Sequence, residues 1–413
     1  MKLTYKNTKL ACFLSYLVQG ITNNISPLLF VVFSEQLGLS FVELSLLITI
    51  NFTFQIAVDL LSSVISKFVS YRCAIICAHT SAFIGLFSIP LLVYLIPDNF
   101  SALCISTVLM SIGSGLLEVF VSPIVEAIPE NNKMATMNIL HSFYCWGQVG
   151  VIAISTLYFA IFKIDNWQYL PILWSIVPIV CAVMFFFVPI RMLDGDEKGS
   201  HRFLFLFQNK NFWLMMIIML CAGAAEMGAA QWASLFCEVG LGVSKYLGDL
   251  LGPCSFAVFM GLGRVIFGSC KLKNTPKWIC ISFGICSVAY LIIALAPHPL
   301  ISLLGFALCG ISVSILWPGT YSMGAQAMPQ GGSVLFALFA MMGDIGCALG
   351  PDVIGIISDR VQTEENIIST IFSGSAIEAG MKTGILIATI IPIIGFAVSL
   401  VFIMINKEKR SIN

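Results

Sequence analysis

The sequence predicts an all-α membrane protein, with twelve transmembrane helices in two pseudo-symmetric six-helix bundles. Three observations carry this: an apolar, charge-poor composition, uncharged runs of spanning length along the chain, and a weak repeat between its halves. The residues AVILMFWYC make up 58% of 413 positions, and DEKR only 10%. Mean hydropathy is +0.96. Soluble domains keep about a quarter of their residues charged, so this surface does not face water.

A spanning helix needs ~20 mostly apolar residues. Leu10–Ser34, Cys73–Pro97, Met134–Phe162, Asn166–Ile190 and Thr383–Asn406 are uncharged runs of that order, and none of Asp, Glu, Lys or Arg occurs between Lys277 and Asp344. Breaking the chain at turn residues and charges gives spans near 10–34, 42–66, 73–97, 100–128, 134–162 and 167–190, then 212–237, 247–270, 278–297, 300–326, 332–358 and 382–405. The first run is too long for a signal-peptide core and lacks a small-residue cleavage site, which makes it the first span.

Lys and Arg fix the expected orientation. With the N-terminus inside, sixteen lie in cytoplasmic segments, and only Lys163, Lys245, Arg360 and Lys382 lie in outer loops. Cytoplasmic enrichment of these residues is the topological determinant. The expectation is a multi-pass protein of the cell (inner or plasma) membrane with both termini cytoplasmic. Fourteen cysteines form no compact ligand set with histidine and read as small apolar filler.

The charged stretch 191–211 divides an N-terminal bundle, 1–190, from a C-terminal one, 212–413. On either side the sequence echoes itself. Gly20-x-x-Asn23 of span 1 matches Gly223-x-x-Glu226 of span 7, and Gly115 and Pro123 of span 4 match Gly310 and Pro318 of span 10. Gly147-Gln148-x-Gly150 of span 5 matches Gly343-Asp344-x-Gly346 of span 11. Such repeats place a substrate near the midplane, between the halves. A nucleotide-driven pump is excluded by the lack of a Walker A loop, and Gly261-x-Gly263 reads as close helix packing.

Ionisable groups in hydrocarbon cost ~2.5–3.5 kcal/mol each and so face a cavity or a partner. Glu118, Glu226 and Asp344 lie inside spans and are the candidate proton-coupling groups; no cation is near Glu118 or Glu226 in sequence. Asn23, Asn24, Asn138, His141, Gln148, Gln231, Trp232 and Trp317 are the candidate substrate contacts. Asn138, His141 and Gln148 stand at helical offsets of three and seven, along one face. Amides and carboxylates bond hydroxyls and aromatic rings pack on apolar ring faces, which suits a polyol or sugar. Asp59, Lys67, Arg72 and Arg264 read as gate or structural residues, Arg264 bracing cytoplasmic helix ends. Asp59 can instead satisfy neighbouring helices, and His141 reads equally as a packing residue.

The segment 113–150 resembles the fucose permease group of the major facilitator superfamily. It carries that group's helix-4 and helix-5 pattern as Gly115, Glu118, Pro123, Asn138, His141 and Phe143. Gly223-x-x-Glu226 with Trp232, and Gly263-Arg264, are similar to related sugar permeases. Two departures stand out. Asn23-Asn24 replaces the group's Asn-Asp, and the superfamily motif after helix 2 survives only as 63–72, with Lys67 in place of its acid. The resemblance implies a proton-coupled sugar symporter with alternating access, in which Glu118 carries the proton.

The rival readings are a proton-driven exporter of drugs or metabolites, and a membrane nutrient sensor, against which the absence of any signalling domain argues. An enzyme is not expected, since His79 and His141 supply no metal cluster or nucleophile–base pair. The expected partners are a small molecule and the lipid bilayer, without nucleic acid, metal or cofactor. The coupling ion is a proton or sodium, and the chain acts as a monomer.

Overall fold

The computed structural model describes residues 4–129, 133–191, 206–269, 274–328, 332–363 and 375–412. The side chains of Lys67 and Asn138, and linker positions 192–205, lie outside the described set. Twelve helices are long and apolar enough to cross a membrane. In the first half they are α1 (Tyr5–Glu35), α2 (Phe41–Leu61), α3 (Tyr71–Leu95), α4 (Asn99–Val125), α5 (Ile139–Phe162) and α6 (Tyr169–Phe187). In the second they are α7 (Lys210–Gly240), α8 (Lys245–Phe267), α9 (Thr275–Leu295), α10 (Pro299–Gly324), α11 (Leu338–Gln362) and α12 (Ala376–Asn406). Each overlaps its expected span.

The packing repeats as the sequence does. α1 lies on α5, α2 on α4, α3 on α4 and α6; correspondingly α7 lies on α11, α8 on α10, α9 on α10 and α12. The bundles meet through α2 against α11 and α5 against α8, two contacts that a twofold axis would exchange.

The echoed glycines are crossing points. A Cβ on Gly20 would run into the Tyr144 carbonyl of α5, and one on Gly147 into the Leu17 carbonyl of α1. In the other half, a Cβ on Gly223 would meet the Gly343 carbonyl, and one on Gly346 the Leu220 carbonyl. Gly310 of α10 lies equally close to the Phe256 carbonyl of α8, while Gly115 of α4 faces Val58 and Gln55 of α2. Without hydrophobic drive between helices in lipid, such backbone approach supplies the packing.

Helix ends account for several charges. Arg72 donates to the Phe185, Phe186 and Val188 carbonyls that terminate α6, so it caps a helix within one bundle and does not bridge two. Lys382, expected in an outer loop, lies within α12 and pairs with Glu378 one turn earlier at 2.7 Å. Lys245 was expected there too. It begins α8 instead, with only 9% of its surface exposed.

Lys245 anchors the end of the molecule remote from the described termini. Its Nζ donates to the Leu28 carbonyl of α1 and to Glu238 of α7, 3.3 and 3.4 Å away, and lies 3.4 Å from Asp249. Asp249 accepts from Ser234 of α7 at 2.5 Å and from Thr156 of α5 at 3.4 Å. The Tyr246 hydroxyl reaches the Phe159 carbonyl of α5. This short helical stretch, Lys245–Asp249, stands between two π-helical turns, Phe236–Gly240 and Leu250–Cys254. π-turns often mark functional sites. Here they flank the short helix that carries Lys245 and Asp249 at the α7–α8 corner.

Candidate functional site

A cavity of about 90 Å³ lies at the boundary of the bundles, lined from eight helices by sixteen residues. Ligand pockets generally run ~300–1,000 Å³, so this one is contracted around its polar groups. α1 brings Tyr16, Gln19 and Asn23 to it, at helical offsets of three and seven. α2 adds Phe52 and Gln55, α4 Glu118, and α5 His141 and Tyr144. From the second bundle come Glu226 and Met227 of α7, Arg264 of α8, Trp317, Pro318 and Tyr321 of α10, and Asp344 and Cys347 of α11.

Glu118 accepts a hydrogen bond from the Gln19 amide at 2.8 Å. Its carboxyl group therefore meets a neutral donor across the α1–α4 contact. Asn23 is an amide hub. Its side-chain oxygen accepts from Ser114 at 3.1 Å, Asn51 at 3.4 Å and Gln55 at 3.5 Å. Asn51 accepts in turn from Ser111 at 2.7 Å. The Asn23 carbonyl also takes the Gln231 amide of α7 at 3.3 Å, one direct tie between bundles.

Arg264 corrects the sequence expectation. It does not brace cytoplasmic helix ends; it lines the cavity, and one terminal nitrogen reaches both oxygens of Glu226, at 3.1 and 3.2 Å. The other terminal nitrogen lies 3.4 Å from the His141 carbonyl of α5, which links the pair to the opposite bundle. Glu226 therefore has a cation, 38 positions away in sequence and brought in by α8. On α11, Asp344 is met by Asp59 of α2 across the boundary.

Of the eight expected substrate contacts, the structure brings Asn23, His141 and Trp317 to this cavity. Gln231 lies beside a smaller pocket, together with Asn23 and Asn51. Asn24 turns back to the Gly20 carbonyl of its own helix at 2.8 Å, and Gln148 is buried away from the lining. Trp232 is a packing residue. Fully buried against Phe30 and Phe41, it donates to the Pro351 carbonyl at 2.9 Å and so joins α7 to α11. Its depth was legible, but the direction of its ring was set by helix rotation. Sequence reasoning passed over Tyr16, Gln19, Tyr144 and Tyr321, although the Tyr16–Gln19–Asn23 spacing on α1 was there to be read.

The cavity presents amides, carboxyl groups, a guanidinium and aromatic rings from both bundles to a common space. Among the described residues no group of His, Cys, Asp and Glu is placed to hold a metal ion.

Comparison with known proteins agrees with this architecture. The membrane protein MosC of Rhizobium meliloti is 25% identical over 273 residues, which is 65% of this chain and 65% of that protein's length. A bacterial homologue of the human lysosomal transporter Spinster, in an inward-facing, occupied conformation, superposes with a TM-score of 0.73 at 14% identity over 95% of this chain and 96% of its own. The E. coli fucose:proton symporter FucP superposes with a TM-score of 0.61 at 17% identity, over 96% and 97%. The Major Facilitator Superfamily model matches residues 10–351, most of the sequence, and the chain belongs to that superfamily of membrane transporters.

Proposed function

We propose that this chain is a proton-coupled symporter that carries a small polar metabolite of the sugar type by alternating access. In this reading bundles 1–190 and 212–413, joined by 191–211, rock about the cavity, and both termini face the cytoplasm of a cell membrane. The observation that carries the proposal is Glu118, a carboxyl group lining a cavity between two repeats, where its hydrogen-bond donor is the neutral Gln19. Protonated, Glu118 presents no charge to the moving boundary; ionised and without substrate, it opposes closure. The difference in affinity between the two states couples the flows.

Asp344 and Glu226 support the same cycle. Both stand on helices that cross at Gly223 and Gly346, so a change of charge on either bears on the α7–α11 contact. Asn23, His141 and Trp317 are the groups placed to meet substrate. The Lys245 cluster, at the end that this reading sets outside, ties α1, α5, α7 and α8 together. One structural neighbour, the fucose:proton symporter, pairs a sugar with a proton.

The test is uptake into vesicles reconstituted with the full chain, using a panel of labelled hexoses with and without an inward proton gradient. Accumulation that requires the gradient supports the proposal. Uptake that ignores the gradient, with every sugar, overturns it.

A further inference from the structure

α1 is broken where it meets the second bundle. Its regular turns run to Leu28, Leu29 adopts φ −95° and ψ 3°, and turns resume at Phe30. Pro27 stands just before the break and has no N–H. The Asn23 carbonyl one turn earlier therefore loses the donor that an unbroken helix would supply. The Leu28 carbonyl stands in the last turn before the break, where carbonyls lack intrahelical donors. A bilayer core offers no water to such groups, so neighbouring helices have to satisfy them.

Both carbonyls are met from the other bundle. Gln231 of α7 donates from Nε2 to the Asn23 carbonyl at 3.3 Å, and Lys245 of α8 donates from Nζ to the Leu28 carbonyl at 3.3 Å. The acceptors are separated by a rise of ~7.5 Å along α1, so the contacts stand about one and a half turns apart on the boundary. Gln231 is 2% exposed. Among the described residues its amide nitrogen otherwise reaches only the Met227 sulfur, one turn earlier on its own helix, at 3.4 Å. Glu238 and Asp249, both of the second bundle, orient the Lys245 ammonium.

We infer that Gln231 and Lys245 form a two-point latch on the Pro27 break in α1, which has to release before the bundles part at this end. They are positioning residues for the transport cycle, and Gln231 acts on the Asn23 main chain rather than on the solute. A path from the cavity to that end separates α1 from α7 and α8. It breaks both bonds and leaves two carbonyls to water. Each bond thus weights the equilibrium towards the present state. The inference rests on transport by alternating access, and on neither the coupling ion nor the identity of the solute.

Backbone hydrogen exchange of the purified full-length protein, without solute or gradient, reads the release. Gln231→Met keeps the length of the side chain and loses its donor, and amides in 28–36 and 245–254 then exchange about fivefold faster. Lys245→Met does the same, whereas Lys245→Arg keeps a donor and exchanges within about twofold of the wild type. Pro27→Ala supplies the decisive background. It returns an N–H to position 27, the Asn23 carbonyl regains its helical donor, and Gln231→Met then changes exchange by less than about twofold. An undiminished rise in that background overturns the inference, because Gln231 then acts by packing alone. Exchange at the wild-type rate in Gln231→Met overturns it as well. Should Pro27→Ala prove unfolded, the contrast between Lys245→Met and Lys245→Arg decides, and equal exchange in those two overturns the latch. Failure here leaves the symport reading standing, and failure of proton-driven uptake leaves the latch.

Discussion

Asn23 and Glu226 stand at equivalent places in the two halves, each three residues after a glycine that lets its helix cross a partner, yet they are satisfied differently. Asn23 gathers neutral donors from Ser114, Asn51 and Gln55; Glu226 takes the guanidinium of Arg264. The residues after the partner glycines differ in the same sense, Gln148 on α5 and Asp344 on α11. One framework thus carries an amide network in the first bundle and a charged one in the second. Glu118 and Asp59 are the exceptions, acids on the amide side. The difference separates what the packing requires, which is glycine at the crossings, from what the cavity adds, which is charge.

The largest effect should come from breaking the charged hub. Arg264→Met leaves Glu226 buried without its cation and should cost ~3–5 kcal/mol, with most of it restored in the Arg264→Met, Glu226→Met double variant. Asn23→Ala strands hydrogen-bond donors and no charge, and should cost about 1–3 kcal/mol. Denaturation of the purified protein reads both, and equal losses would erase the distinction between the hubs. Next come the crossings. Gly147→Ala and Gly346→Ala each drive a methyl into a carbonyl of the facing helix and should lose ~1–3 kcal/mol apiece. A loss confined to one half would break the symmetry. Lys245→Met releases the Leu28 carbonyl and two carboxylates, and should raise alkylation of the buried Cys237 about fivefold as the α7–α8 corner loosens. The smallest effect belongs to the Glu378–Lys382 pair, partly exposed and away from the cavity, where Lys382→Ala should change stability by ~0–1 kcal/mol.

What the sequence made legible follows the same division. The twelve spans were plain because a bilayer imposes both length and composition. The glycine echoes were plain because two backbones at these crossings leave no room for Cβ, whatever the rest of the helix does. Glu118 stood out as an acid with no cation nearby in sequence, and it lies in the cavity. The Arg264–Glu226 pair did not stand out, because the helices that bring them together are far apart in sequence and their rotation is set by tertiary packing. Trp232 shows the same limit: depth along a helix is readable, azimuth is not. Lys245 and Lys382 looked like loop charges because they sit near span ends, where the chain folds them back onto carboxylates.

The central claim is that Glu118 holds the proton that drives accumulation. In reconstituted vesicles with an inward proton gradient, Glu118→Gln should abolish uphill uptake of the labelled substrate while leaving substrate counterflow intact. Uphill uptake at the wild-type level in that variant would contradict it.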